Sequence, residues 1–335
     1  MKLADLQFDF PEELIATSPV RPTRVMWVEP SQVPVEITIP ELLQKIPAGD
    51  VLVVNNTKVL KRRVFSEENI EILFLDRVEQ KANSNLWKVL FPSKKYKIGD
   101  ELKLPQGFTM KLVEKGRPQI VEVFPAISDL DFATIAELPL PPYIQKARQE
   151  RHNVEADESW YQTAWASQAG SMAAPTASLH FNRQDLQSLA SRGVHVIELT
   201  LHVGLGTFLP VTAEDLSQHQ MHSEQYEISE DSWLKIQKAK QESSKVWALG
   251  TTTTRVLESV SRTGVLAGST DILLQEGSEF QIVDRLLTNF HQPESTLLAL
   301  VAGFSSLDRV KESYKWAIQH KFRLFSYGDL SVWLK

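Results

Sequence analysis

The sequence predicts an α/β protein: a main α/β domain with a mixed sheet, interrupted by an inserted small antiparallel β-barrel domain. Three observations carry this. Strand and helix patterns alternate from about residue 157 to the C-terminus. Short strands at close spacing fill roughly residues 59–137. A continuous apolar run, Val51 to Val54, suits a strand buried on both faces. The implied division is residues 1–58 for the first part of the main domain, 59–150 for the inserted barrel and 151–335 for the second part. With 335 residues, 42% of them hydrophobic and 23% charged, the chain can bury a substantial core without staples.

Taken in order, the N-terminal part predicts a short helix over 11–16, a strand around 25–29 and a helix near 39–45. GDVLVVNNT follows, a turn and a buried strand ending in Asn55, Asn56 and Thr57, whose side chains can bond outward to a ligand or cap a turn. The barrel block contains NIEILFLDR, NLWKVLFP, ELKLP, FTMKLVEKG and QIVEVFP, separated by glycine-bearing turns such as Ile98-Gly99-Asp100. LPLPPYI, over 138–144, reads as a stiff extended linker back to the main domain. Helices are then expected near 183–192, 231–241, 253–261, 295–304 and 307–321, and strands at 194–201, 245–249, near 272 and over 280–284. RLFSYGDLSVWL closes the chain.

The absence of cysteine excludes a disulfide framework, thiolate zinc, iron–sulfur clusters and a cysteine nucleophile. The N-terminus, MKLADLQFDFPEELIA, lacks the pattern of a secretory signal, and the apolar runs fall well short of the roughly 20 residues that span a bilayer. A soluble cytoplasmic protein is expected. The net charge of −6 conceals an uneven distribution: residues 58–151 hold 17 basic and 13 acidic residues, leaving 19 and 29 elsewhere. Lys58, Lys61, Arg62 and Arg63 form one basic cluster there, and Lys94, Lys95 and Lys97 another. Each suits either a solvated loop or phosphate contacts.

Polar residues gather where strands should end, the edge at which open α/β sheets bind ligands. In GSMAAPTASLHF, small residues admit a ligand to the backbone while Thr176 and His180 offer hydrogen bonds; a capped loop is the plainer reading. In ELTLHVGLGTFLPV, Gly204 and Gly206 flank Leu205 and precede Thr207, so backbone N–H groups can face a carboxylate or ribose, without the third glycine of a dinucleotide fingerprint. His219, His222 and Glu224 form a HxxHxE spacing open to a metal site, acid–base or substrate contact, or surface histidines. In VWALGTTTTRVLES, Thr251, Thr252 and Arg255 stand at the start of a helix, whose free N–H groups suit an anion or need a threonine cap. Asn289 and His291 in LLTNFHQPES, with Tyr327 and Asp329 in FSYGDL, complete a set of polar groups larger than a scaffold requires.

These stretches, in order along nearly the whole chain, resemble the S-adenosylmethionine:tRNA ribosyltransferase-isomerases of queuosine biosynthesis. LPLPPYI, YQTAWA, AAPTASLHF, TLHVGLGTFLPV, HQMHSEQYEI, LGTTTTRVLES, LLTNFHQPESTLLALV and FRLFSYGD carry the resemblance, and VLVVNNTKVLKRR is similar to the family's NNT-containing segment. It implies transfer and isomerisation of the ribosyl moiety of S-adenosylmethionine onto 7-aminomethyl-7-deazaguanine at the tRNA wobble position, giving epoxyqueuosine with release of adenine and methionine. S-adenosylmethionine is then a consumed substrate, no cofactor or metal is expected, and the protein is expected to be a monomer.

The sulfonium acidifies the ribose 5′ protons, so a base titrating near neutrality is required. His202, His222 and His291 are the candidates, with Asp329 or Glu224 orienting an imidazole. Substrate contacts are expected from Asn55, Asn56, Thr176, His180, Gly204, Gly206, Thr207, Glu224, Thr251, Thr252, Arg255, Asn289 and Tyr327, with Arg255 suited to the methionine carboxylate. tRNA contacts are expected from Lys58, Lys61, Arg62 and Arg63. The chain departs from the family pattern at Ser178, where a glycine is usual, at Gln275 to Ser278 and at Gln292 to Glu294. Two other functions stay open: a metal-dependent hydrolase using His219, His222 and Glu224, and a non-catalytic tRNA-binding relative.

Overall fold

The computed structural model describes residues 1–209 and 211–335, with the side chain of Thr207 also outside the description. The expected substrate contact at Thr207 therefore lies outside the described residues.

The first strands are β1 (Arg24–Val28), β2 (Val35–Thr38), β3 (Val51–Asn55) and β4 (Thr57–Val59). Next come β5 (Arg63–Phe65), β6 (Glu71–Gln80), β7 (Asn85–Leu90), β8 (Glu101–Lys103), β9 (Thr109–Glu114), β10 (Gln119–Phe124) and β11 (Ala136–Glu137). The remainder are β12 (Gln168–Ser171), β13 (His195–Leu201), β14 (Glu224–Glu227), β15 (Val246–Leu249), β16 (Ala267–Thr270), β17 (Arg285–Asn289) and β18 (Leu330–Leu334). Helices are α1 (Ile39–Gln44), α2 (Asp129–Ile135), α3 (Pro142–Arg148), α4 (Asp157–Trp160), α5 (Arg183–Ser191), α6 (Glu230–Gln241), α7 (Thr251–Thr263), α8 (Thr296–Phe304) and α9 (Leu307–Gln319).

The apolar run at 51–54 becomes the middle of a nine-stranded sheet, ordered β16-β14-β13-β3-β15-β17-β18-β1-β2. Alternate residues go to opposite faces, as the two-residue period of a strand requires. Val51 and Val53 join Val246, Ala248 and Leu286 in the core beneath α6 to α9, while Leu52 and Val54 join Trp247, Leu249 and Leu287 against α1 and α5. The sheet is mixed. β13, β3, β15 and β17 run parallel, β18 runs antiparallel to β17, and β1 runs parallel to β18.

A separate seven-stranded antiparallel sheet, β11-β5-β6-β7-β10-β9-β8, curls around Phe74, Trp87, Val121 and Phe132. Its end strands are two and three residues long, too short to zip together, and among the described residues they share no ladder. A single backbone bond, Glu67 N–H to Lys103 O at 2.9 Å, spans the gap. The sheet is thus a curled antiparallel half-barrel.

Other departures have local causes. The 138–144 stretch is extended only as far as Pro141, because Pro142 opens α3, where its fixed φ and missing N–H suit the first turn. The 280–284 segment does not join the sheet: the buried Glu258 carboxylate accepts from the N–H groups of Gln281, Ile282 and Val283 at 2.8–3.0 Å, replacing a neighbouring strand. The strand expected near 272 ends earlier, at Thr270, whose hydroxyl accepts from the N–H of Ile272. The helix expected over 11–16 is one tight turn, Glu12–Leu14.

Candidate active site

The carboxyl ends of β3, β13, β15 and β17 lie along one edge of the main sheet, beside the amino ends of β18 and β1. Asn55, His202, Gly250, Asn289, Asp329 and Thr23 therefore share that edge, although they are scattered through the chain. Asn55 is fully buried and bonds across it. Its Oδ1 accepts from the N–H groups of Thr57 and Leu201 at 3.0 and 3.1 Å, and its Nδ2 donates to Leu201 O and to Thr252 Oγ1 at 3.0 and 3.3 Å. Asn56 turns the other way, donating to Glu198 and accepting from Thr200. The strand ends are thus locked in register by the asparagine pair, of which Asn55 is saturated within the protein.

Residues 170–181 cross this edge like a strap. β12 pairs with β4, Met172 N–H donates to Val203 O, Ala177 lies over Gly250, and His180 reaches Asn289. Gly250 has φ +97°, which no β-carbon tolerates well, and it precedes the uncapped N-terminus of α7, where Thr251 is buried and Thr252 half-buried. Thr176 opens the short turn within the strap and is itself half-buried. Ser178, one of the departures, is fully buried and its hydroxyl has no partner among the described residues. Burial, with Arg21 and Arg323 adding repulsion, lowers the His180 pKa to about 3. The ring is neutral: Asn289 Nδ2 donates to its Nε2 at 3.0 Å, so its Nδ1–H faces Thr23 Oγ1 at 3.2 Å.

His202 is the imidazole best placed for chemistry. It sits at the end of β13, half-buried, and burial alone lowers its pKa. Its Nδ1 lies 2.7 Å from Thr57 Oγ1, and that hydroxyl can donate onward to Gln168 O at 3.5 Å. In that arrangement Nδ1–H donates to threonine and the Nε2 lone pair is left free. Gly170 lies against the ring: a β-carbon there would stand 2.8 Å from Nε2. The sequence marks Thr57 as a side chain able to bond outward, whereas it does not single out Gly170, which falls within GSMAAPTASLHF.

Glu224 and Arg255 are both buried and form an ion pair with one another. Glu224 Oε1 also accepts from Gly204 N–H at 3.0 Å, and Arg255 reaches Thr270 O at 3.4 Å. The pair anchors the glycine loop, and the Arg255 fork expected for a substrate carboxylate is occupied by protein. His222 is exposed and packs against Gly206, where a β-carbon would stand 3.0 Å from its ring. His219 is close enough to His222 for the latter to help lower its pKa, after burial. The Glu224 carboxylate is turned to Arg255, and among the described residues no three His, Asp or Glu side chains converge on one point.

The remaining candidates are held by the scaffold. His291 Nε2 contacts Thr288 Oγ1 at 2.8 Å, and burial lowers its pKa to about 3. Burial raises the pKa of Asp329, which accepts from the backbone N–H groups of Arg323 and Arg24 at 2.8 and 3.3 Å. Neither Asp329 nor Glu224 bonds an imidazole, so the expected carboxylate–histidine pairing is not the geometry found. Tyr327 donates to Asp157, which is clamped by Arg148 at 2.6 and 2.8 Å. Of the first basic cluster, Lys58 is exposed and Lys61 pairs with Glu158. Arg62 is buried against Asp129 at 2.5 Å, and Arg63 against Glu137 at 2.6 Å. Both guanidiniums are buried, each paired with one carboxylate, while Arg62 Nε and Arg63 Nε and Nη1 have no hydrogen-bond partner among the described residues.

Over residues 3–332 the chain matches the family described as queuosine biosynthesis protein. S-adenosylmethionine:tRNA ribosyltransferase-isomerases of Sulfurihydrogenibium sp. and Halothermothrix orenii are 37% and 39% identical to it, each alignment covering 98% of both chains. The crystal structure of S-adenosylmethionine tRNA ribosyltransferase from Thermotoga maritima is similar at a TM-score of 0.56 and 28% identity, over 98% of this chain and 99% of that one. The chain belongs to the queuosine biosynthesis protein family.

Proposed function

We propose that this protein is an S-adenosylmethionine:tRNA ribosyltransferase-isomerase. It transfers and isomerises the ribosyl moiety of S-adenosylmethionine onto 7-aminomethyl-7-deazaguanine at the tRNA wobble position, giving epoxyqueuosine-tRNA, adenine and methionine. The full-length relationship to ribosyltransferase-isomerases carries the reading, and the sheet-edge geometry supports it. His202 is the base that removes a ribose 5′ proton, its Nε2 free while Thr57 holds Nδ1. The uncapped N-terminus of α7 offers N–H donors for ribose hydroxyls or the methionine carboxylate, and the Gly204–Gly206 loop, whose Gly204 N–H is held by Glu224, lets a ligand approach the backbone closely. Glu224 and Arg255 act by positioning that backbone. His222, exposed beside Gly206, is the second imidazole within reach of the loop.

S-adenosylmethionine is consumed, and the reaction asks for no cofactor. We read residues 59–150 as an inserted barrel domain of the family type, the protein as a monomer, and its compartment as the cytoplasm, where its tRNA is. No described helix is long and apolar enough to cross a membrane.

The test is to incubate the protein with S-adenosylmethionine and tRNA bearing the aminomethyl-deazaguanine base, and to assay adenine and methionine in equal amounts. No adenine above background sinks the reading, and S-adenosylhomocysteine in its place would indicate methyl transfer. His202→Gln should lower kcat by about 100-fold or more, the scale of a lost general base, with the KM for S-adenosylmethionine little changed.

A further inference from the structure

A cleft of ≈ 410 Å³ separates the half-barrel from the strap over the main-sheet edge. Its size falls within the roughly 300–1,000 Å³ of small-molecule sites. Arg62, Asp76, Arg77, Trp87 and Asp129 line it on the half-barrel side, where Arg77 is turned to Gln80 at 3.1 Å, and Gly170 and Met172 on the other. We propose that this cleft seats the acceptor base of the tRNA, laid against Arg62 and Trp87 with its aminomethyl ammonium between the Asp76 and Asp129 carboxylates.

Three features support this seat, which rests on the proposed activity. First, Trp87 is 4% exposed and Arg62 5%, yet the indole Nε1–H and the guanidinium Nε–H have no partner. Unpaired buried donors are rare, and two beside one cleft would gain acceptors from a purine-like ring once either side chain turned towards it. The Arg62 guanidinium is fixed over Phe132 and Trp87, at 4.4 and 5.4 Å from their ring centroids, and a planar cation held in this way is a surface on which bases stack.

Second, both carboxylates are exposed, and Asp76 makes no side-chain hydrogen bond among the described residues. An ammonium is their natural counterpart. The acceptor base carries one, whereas guanine does not, so the same two groups would distinguish the modified wobble position from an unmodified one. Third, the Gly170 wall is thin. The His202 ring lies directly against it, so a base in the cleft would stand one backbone thickness from the imidazole. An anticodon base is unpaired before it enters, which keeps the cost of flipping it low.

The experiment measures equilibrium binding of two anticodon stem-loops, one with 7-aminomethyl-7-deazaguanine and one with guanine at the wobble position, without S-adenosylmethionine. The wild-type protein should prefer the aminomethyl stem-loop by about tenfold or more. Asp76→Asn should remove most of that preference and leave the guanine stem-loop within about twofold. Asp76 has no side-chain partner among the described residues, so a folding defect is not expected; Asp129→Asn, which frees Arg62, is compared after its urea midpoint is checked. A wild-type protein without preference, equal weakening of both RNAs by Asp76→Asn, or a preference that survives the double variant would each overturn the proposal. Because no turnover is involved, failure of the adenine assay with the preference intact would count against the activity and leave the seat standing.

Discussion

At the scale of single residues, three imidazoles on one sheet edge have been given different tasks by burial and by the hydrogen bonds their ring nitrogens make. His180 and His291 are buried and neutral, with pKa values lowered to about 3. Unfolded, each titrates near 6.5, so below that pH the unfolded chain binds protons that the folded chain refuses. Their contribution is therefore fully present above pH 6.5 and is lost as pH falls from there towards 3. At pH 5.5 the loss is about 1.4 kcal/mol for each group, read as a falling urea midpoint between pH 7 and 5. A His180→Gln, His291→Gln double variant should flatten that dependence, and an unchanged slope would show that other groups set it. His202 remains half-exposed, and burial lowers its pKa, so its basic form persists below the usual histidine range. The acidic limb of kcat/KM should accordingly have its midpoint below pH 6.5. Thr57→Val, which removes the Nδ1 partner, should cut kcat by about tenfold or more while the KM for S-adenosylmethionine holds. A limb at or above pH 6.5 would contradict His202 as the base.

Secondary elements are placed here as much by buried carboxylates as by apolar patterns, and this decides what could be read from sequence. β3 was legible because four consecutive apolar residues can only be buried on both faces. α6 and α9 were legible because their apolar periodicity faces the core. The 280–284 segment looked like a strand, yet its N–H groups go to Glu258, 23 to 25 residues earlier, a partnership that no local pattern reveals. The site divides in the same way. Polar residues at strand ends marked Asn55, His202, Gly204, Asn289 and Asp329, whereas the capture of Arg255 by Glu224, 31 residues away, was hidden. Glu258→Gln should therefore cost about 3 kcal/mol, the scale of a broken buried ionic network, seen in the urea midpoint. It would leave one carbonyl oxygen where two carboxylate oxygens serve three N–H groups and Arg262. A loss below about 1 kcal/mol would mean that the 280–284 segment holds its position without Glu258.

Across the whole molecule, the question is how a chain with net charge −6 holds a polyanion. The excess of 17 basic over 13 acidic residues between 58 and 151 marks the half-barrel side, but a count cannot distinguish inward from outward charge. The structure separates them. Arg62 and Arg63 are consumed in buried pairs, and Lys61 is paired, while Lys58 stands exposed on β4, next to the threonine that holds His202. Lys94, Lys95 and Lys97 are exposed farther along the half-barrel. Phosphate contacts release counterions, each steepening the fall of log K with log salt by about 0.7 to 0.9. Lys58→Ala should thus flatten the salt dependence of tRNA binding by roughly one contact and weaken every tRNA alike. Arg63→Ala should leave that slope unchanged and lower the urea midpoint instead, because it removes a buried side chain that ties Glu137 to Asn153 and leaves a cavity in its place. The two slopes, measured on the same tRNA between 50 and 200 mM salt as typical conditions, separate the roles. Should Arg63→Ala flatten the slope and Lys58→Ala leave it intact, the RNA would meet the protein on a surface that the folded chain does not present.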